Sequence, residues 1–296
     1  MQTEESVHHI RRTVIDPNQI RSFDSEDDFC GLSVDLLVEV GSYACVAGNL
    51  YPIDSPGWDR DQAVVGGHIV RLYKLISALL DQTCQRRRET AFVLMRLAFE
   101  CVINVRYLIK HASPELFRSF RETSLKHEYR LLKDIEDRIR ARGGVALAIE
   151  ERMRRSIQRS FRLSGAKVGD EPPSTDRHWG GKSLFERAKD LNLEYVYLVA
   201  FGGGSHNVHG NWEDIQEYHL EEVADGYFKA EFEWHQSTSQ PLNALGLYAA
   251  DAIIDYLNWI SGDEASDLEL NLRDMQKRIQ LLVTWHEEFV SRQCVT

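Results

Sequence analysis

The chain has 296 residues, 43% of them hydrophobic and 27% charged, and a formal net charge of −11. That is the profile of a globular protein with ample apolar material for a core, and 19 Gly with 7 Pro exclude a linker-rich or low-complexity chain. No run of about 18 apolar residues is present, so no membrane partner is expected. The opening MQTEESVHHIRR lacks the apolar centre of a signal peptide, so a cytoplasmic location is expected. Five Cys, odd in number and without a Cys-x-x-Cys pair, read as reduced thiols and not as a disulfide framework or zinc site. Charge is unevenly spread. Between 86 and 162, 19 Lys and Arg face 10 Asp and Glu, so the remainder is strongly acidic. This asymmetry suits either a basic face for an anionic partner or solvated helices salt-bridged to an acidic body.

In chain order, an N-terminal extension covers 1–26, and the rest (27–296) is one helical domain. Apolar residues at helical spacing (Phe29, Leu32, Leu36, Leu37, Val40) predict a helix over 27–48, ended by Pro52 and Pro56. Val65, Ile69, Leu72, Ile76 and Leu79 predict a second over 62–82. A third, over 87–111, stops at Ser113-Pro114, because the residue before proline is pushed out of the helical region. A fourth starts at Pro114 and is interrupted by Gly143-Gly144, after which a basic helix runs to 161. Residues 163–182, with four Gly, two Pro and no apolar period, form a loop or lid. Short helices follow at 184–191 and 195–201, then the glycine-rich segment 202–212. Alternation at 217–223 and 227–234 around Ala224-Asp225-Gly226 predicts a small β-hairpin. Helices at 242–260 and 267–291 close the chain. The C-terminal one, with Leu268, Leu272, Met275, Ile279 and Leu282, pairs either within the chain or with a second copy as a homodimer. The fold class is thus all-α, a multi-helix bundle with one small hairpin near 217–234.

The third helix is the most informative. From 91 to 109 its only strongly polar residues are Arg96, Glu100, Asn104 and Arg106. A helix apolar nearly all round is a buried one, and 91–109 is expected to be the most buried of the fold. Arg96, Glu100 and Asn104 recur every four residues, so they form one stripe, continued by Tyr107 and His111. Buried charge must be paired, and Arg96 and Glu100 are spaced to pair with each other, either as a core ion pair or as the lining of a ligand pocket.

The second informative segment is GGGSHNVHGNW at 202–212. Three glycines allow close backbone approach, and a helix beginning near Ser205 places Ser205, His206 and His209 on neighbouring faces. Its N-terminal N–H groups suit an anion. His206 and His209 could instead take a metal with Glu100 or Glu213, or serve only as hydrogen-bonding residues of a turn. This segment is expected to pack on the Arg96 helix, since two polar segments excluded from water satisfy each other most cheaply.

The pattern RLAFECVINVRYLIKH at 96–111, followed by YVYLVAFGGGSHNVHG at 195–210, resembles a large family of bacterial helical proteins of unknown function. Its members share an Arg-x-x-x-Glu helix, a Tyr-rich approach and a Ser-x-x-x-His-Gly turn. The resemblance covers about 65–260 and implies roles for Arg96, Glu100, Tyr195, Ser205 and His209. The triple glycine and His206 depart from the plain pattern. That family is in turn similar to the HEPN superfamily, many of whose members are metal-independent ribonucleases of toxin–antitoxin and phage-defence systems. Their Arg-then-His spacing is absent at 205–209; Arg121 and His127 fit it literally, a match expected by chance in so Arg- and His-rich a chain.

Three functions follow as expectations. The first is a binding or regulatory module of a defence or mobile-element system, with a buried Arg/Glu/His pocket in which Ser205, His206, Asn104, Tyr107 and Tyr195 meet the ligand. The second is a metal-independent ribonuclease using His209 as acid or base, Arg96 on the phosphate and Glu100 to orient them. The third is a metal-dependent hydrolase on His206 and His209. The expected partners are RNA or a nucleotide, a protein, or a second copy of the chain, with no cofactor.

Overall fold

The computed structural model describes residues 10–52, 55–170 and 178–293, with backbone alone at 201–207, 209 and 263–264. Eleven helices and one two-stranded sheet lie among the described residues. They are α1 (Pro17–Arg21), α2 (Glu26–Ala47), α3 (Arg60–Cys84), α4 (Arg88–Lys110), α5 (Pro114–Ala141), α6 (Ala148–Ser164), α7 (Leu184–Asp190), α8 (Glu194–His209), α9 (Trp212–Tyr218), β1 (Leu220–Ala224), β2 (Tyr227–Ala230), α10 (Ser239–Ile260) and α11 (Ser266–Gln293). The fold is all-α with one small antiparallel hairpin, in which Glu221 pairs with Lys229 and Glu222 with Phe228.

Local chemistry sets the helix starts. Ser25 and Asp28 form a capping box on α2, and Asp59 with Gln62 does so on α3, each satisfying N–H groups that no helical carbonyl reaches. Ser113 caps α5 through Leu116, with Pro114 in the first turn, where its missing N–H costs nothing.

Helices α2, α3, α4, α10 and α11 build the main core. Over 91–109, 11 of 19 residues of α4 are buried and none is exposed, a burial matched by α10, where 13 of 22 are buried. The half-buried positions of α4 lie mainly towards its start, and α10 is packed against α2, α4 and α11. By length and hydropathy alone α2 and α3 reach the range of a membrane span; both are built into this bundle. Helices α5 and α6 form a helical hairpin with a separate small core of Leu125, Leu132, Ile135, Ile157 and Phe161.

The expected N-terminal extension is, from Ile10 onward, tied to the bundle. Ile20 of α1 is buried, Arg12 pairs with Asp274, and Thr13 donates its N–H to Glu39 at 2.8 Å. Glu39 is fully buried and holds Arg278 through both carboxylate oxygens at 2.7 Å. At the other end of α11, His286, 1% exposed, meets Glu26 at 2.6 Å.

Candidate functional site

The polar stripe of α4 lies under a cover supplied by the turn Trp179–Gly181 and by α7. Arg187 of α7 is 5% exposed and donates to the Asn104 amide oxygen at 2.8 Å and to the Ser183 carbonyl at 3.3 Å. Its guanidinium lies 3.7 Å from the centre of the Trp179 ring. Burial lowers its pKa to about 10, opposed by the charge of Glu100. Among the described residues no ion pair joins Arg96 to Glu100; the charge of Glu100 acts on Arg187, where it opposes the effect of burial. The i,i+4 spacing allowed the first pairing, but the fold brings in an arginine from 83 positions beyond Asn104.

Trp179 is fixed from several sides. It stands edge-on to Tyr107 and to Phe120, and the Gly180 N–H donates to the Ser119 hydroxyl at 2.9 Å. Gly180 has φ +63°, where a side chain would be strained, and an added Cβ would meet Leu116 at 2.8 Å. His68 of α3 packs against Phe120; its Nδ1 donates to the Val64 carbonyl at 2.7 Å, and burial holds its pKa below the usual histidine value. Around the rim, Asp190 collects Lys182 at 2.7 Å, Lys110 at 2.9 Å and His111 at 2.7 Å, bonds that hold its carboxyl well below the usual range. Lys182 lies 5.4 Å from the Tyr107 ring centre. Asn104 and Tyr107 are therefore enclosed by the protein's own side chains. Asn104→Ala is expected to cost about 1–3 kcal/mol in urea unfolding, because it leaves a buried guanidinium without its shorter hydrogen bond, and more than Arg187→Met, which removes the charge itself. Equal losses would mean that the Ser183 carbonyl alone keeps Arg187 satisfied.

The segment read as a glycine-rich turn is helix: α8 runs unbroken from Glu194 to His209. Each glycine inside a helix costs roughly 1 kcal/mol relative to alanine, so packing outweighs propensity here. The neighbour is α4, against which α8 packs. The expected approach of the two motifs thus holds for the two helices. The side chains of Ser205, His206 and His209 lie outside the described residues. Arg96 and Glu100 are half-buried on α4. Tyr195 does not join them: it is 78% exposed at the start of α8. Sequence reasoning missed Arg187 and His68, since nothing local in LFERAKD distinguishes Arg187 from a surface arginine.

Residues 62–227, running from the first turn of α3 to the start of β2, match the family described as a family of unknown function, DUF5677. The chain belongs to the DUF5677 family. No curated protein and no solved structure matches it. The DUF5677 segment contains the whole α4–α7–α8 assembly and the α5–α6 hairpin, while α2, α10 and α11 complete the core from outside it.

The second charged feature of the DUF5677 segment is that hairpin. Arg152, Arg155, Arg159 and Arg162 of α6 are spaced 3, 4 and 3 apart, so they share one face, and all four are exposed. Among the described residues no carboxylate forms an ion pair with any of them, whereas Arg138, Arg140, Arg142 and Arg154 are paired with Asp134, Asp137, Glu150 and Glu151. Beside the C-terminal end of α6 lies a groove of about 700 Å³, lined by Arg60, Arg118, Arg121 and Lys167 with Glu122 and Asp170. Arg121 is taken up by Asp61. The charge surplus between 86 and 162 was the sequence signal for this face.

Proposed function

We propose that this DUF5677 protein is a cytosolic nucleic-acid-binding module whose basic helical hairpin takes the phosphate backbone of RNA. The observation that carries the reading is the unpaired arginine row of α6. Ten residues of helix span ~15 Å, the axial length of about four phosphates of one duplex strand at ~3.4 Å each. Arginine binds phosphate through two parallel N–H bonds, and among the described residues no carboxylate competes for the row, whose internal bond is the long one from Arg155 Nε to the Glu151 carbonyl at 3.3 Å. The row itself holds no aromatic residue, so it has no platform for stacking bases; the contact is to the backbone and independent of sequence. The resemblance at 96–111 and 195–210 supports a place among the modules of defence or mobile-element systems. Fluorescence anisotropy with a labelled RNA duplex tests the reading. Binding is expected to weaken linearly in log–log form with salt, with a slope of about −3 to −4 for four phosphates. Absence of binding even at about 50 mM salt would end it.

The packing of α8 on α4 favours a second reading, a metal-independent ribonuclease with His209 as acid or base, Arg96 on the phosphate and Glu100 as orienting group. Cleavage that survives EDTA and is lost in His209→Ala and Arg96→Ala, with RNA affinity retained, is the expected signature. Loss in EDTA with recovery in zinc would instead support a metal at His206 and His209.

A further inference from the structure

The β1–β2 hairpin and the segments that flank it carry a charge opposite to that of the α5–α6 hairpin. Between 213 and 233 eight Asp and Glu accompany a single Lys, while between 114 and 167 there are 14 Lys and Arg and 8 Asp and Glu. The acidic hairpin is also apolar in an exposed way. Tyr227 is 72% exposed and Phe232 87%, with Trp212 and Trp234 about half exposed beside them. A lone two-stranded hairpin is marginal in water, and these strands contribute nothing to either buried core. Aromatic surface of this kind, rimmed by charge, marks a contact site.

The chemistry of its ligand is visible in the chain itself. Arg87 lies 5.4 Å from the Trp234 ring, and Arg88 lies 6.0 Å from the Tyr218 ring with Glu217 at 4.0 Å. Carboxylates beside aromatic faces hold guanidinium groups both electrostatically and by cation–π contact. No ion pair joins the acidic hairpin to α5 or α6 of the same chain among the described residues; its own Lys229 pairs with its own Glu221. The complementary surface, four unpaired arginines next to the exposed Val145, Leu147 and Ile149 at the entry to α6, belongs to every copy of the protein.

We propose that the acidic β-hairpin of one copy docks on the arginine row of α6 in a second copy. Contact between two β-hairpins would set like charges together, which disfavours that arrangement. Reciprocal exchange about a two-fold axis satisfies both surfaces of both copies in one dimer. The contact needs no RNA, and RNA would compete for the same arginines.

Sedimentation velocity on nuclease-treated, full-length protein tests this. A dimer is expected at about 50 mM salt and a monomer at about 500 mM, since exposed charge pairs are screened. Asp225→Lys with Glu233→Lys, and separately Arg155→Glu with Arg159→Glu, are each expected to give monomers at low salt with unchanged melting. Combining the four substitutions restores opposite charges and is expected to restore the dimer. A wild-type monomer at low salt, or reversal variants that dimerise like the wild type, would overturn the proposal. RNA binding without dimerisation would leave the function reading standing and end this one; a salt-sensitive dimer indifferent to RNA would do the reverse.

Discussion

Glu39→Ala is expected to destabilise the protein by about 3–5 kcal/mol, the usual loss when one partner of a buried ion pair is removed. Glu39 is fully buried, binds both terminal nitrogens of Arg278 at 2.7 Å, and accepts the Thr13 N–H at 2.8 Å. Alanine leaves the Arg278 guanidinium with Asp274 and the Thr13 carbonyl as partners in a site built for two more bonds. Glu39→Met together with Arg278→Leu removes both charges and is expected to cost less than the single change. The remaining cost is the Thr13 N–H and C=O left without partners, about 1–3 kcal/mol. Urea midpoints of wild type, both single variants and the double variant measure the difference. A double variant as unstable as the sum of the singles would show two independent residues and not a compensated pair.

The same contact shows which parts of the structure were legible in the sequence. Periodicity placed the long helices, and Asp225-Gly226 between alternating strands placed the hairpin, because both signals are local. The stripe Arg96, Glu100, Asn104 and Tyr107 was legible as charge and polarity on an apolar helix. Its partner was not. An i,i+4 rule offers Arg96 to Glu100, but which cation is held in a low-dielectric site depends on what the fold lays over it, and that is Arg187 of α7. Glu39 and Arg278 lie 239 residues apart, and neither helix alone marks either as buried. The glycines at 202–204 failed in the opposite direction. Their local preference is against helix, and packing on α4 overrides it. Local rules therefore found the elements, while the long-range pairings that enclose Asn104 and Tyr107 needed the fold.

Replacing Arg152, Arg155, Arg159 and Arg162 together by Ala is expected to weaken RNA binding by roughly three orders of magnitude at about 100 mM salt, and to flatten the salt slope by about 3–4. Both numbers come from four lost phosphate contacts, each releasing close to one counterion. Fold stability should change little, because the apolar side of α6, Ile157 and Phe161, is untouched and the four arginines hold no carboxylate. Arg138 and Arg140 provide the control. They sit on the same hairpin and are just as exposed, but Asp134 and Asp137 already bind them at 3.0 and 2.9 Å. Their replacement by Ala removes as much formal charge per residue, yet frees an aspartate in each case and forfeits an arginine that was not available to phosphate. If unpaired geometry decides binding, the Arg138/Arg140 variant loses much less affinity per residue than the α6 row. If net charge alone decides it, the losses per arginine are equal, and the row on α6 is not the binding face.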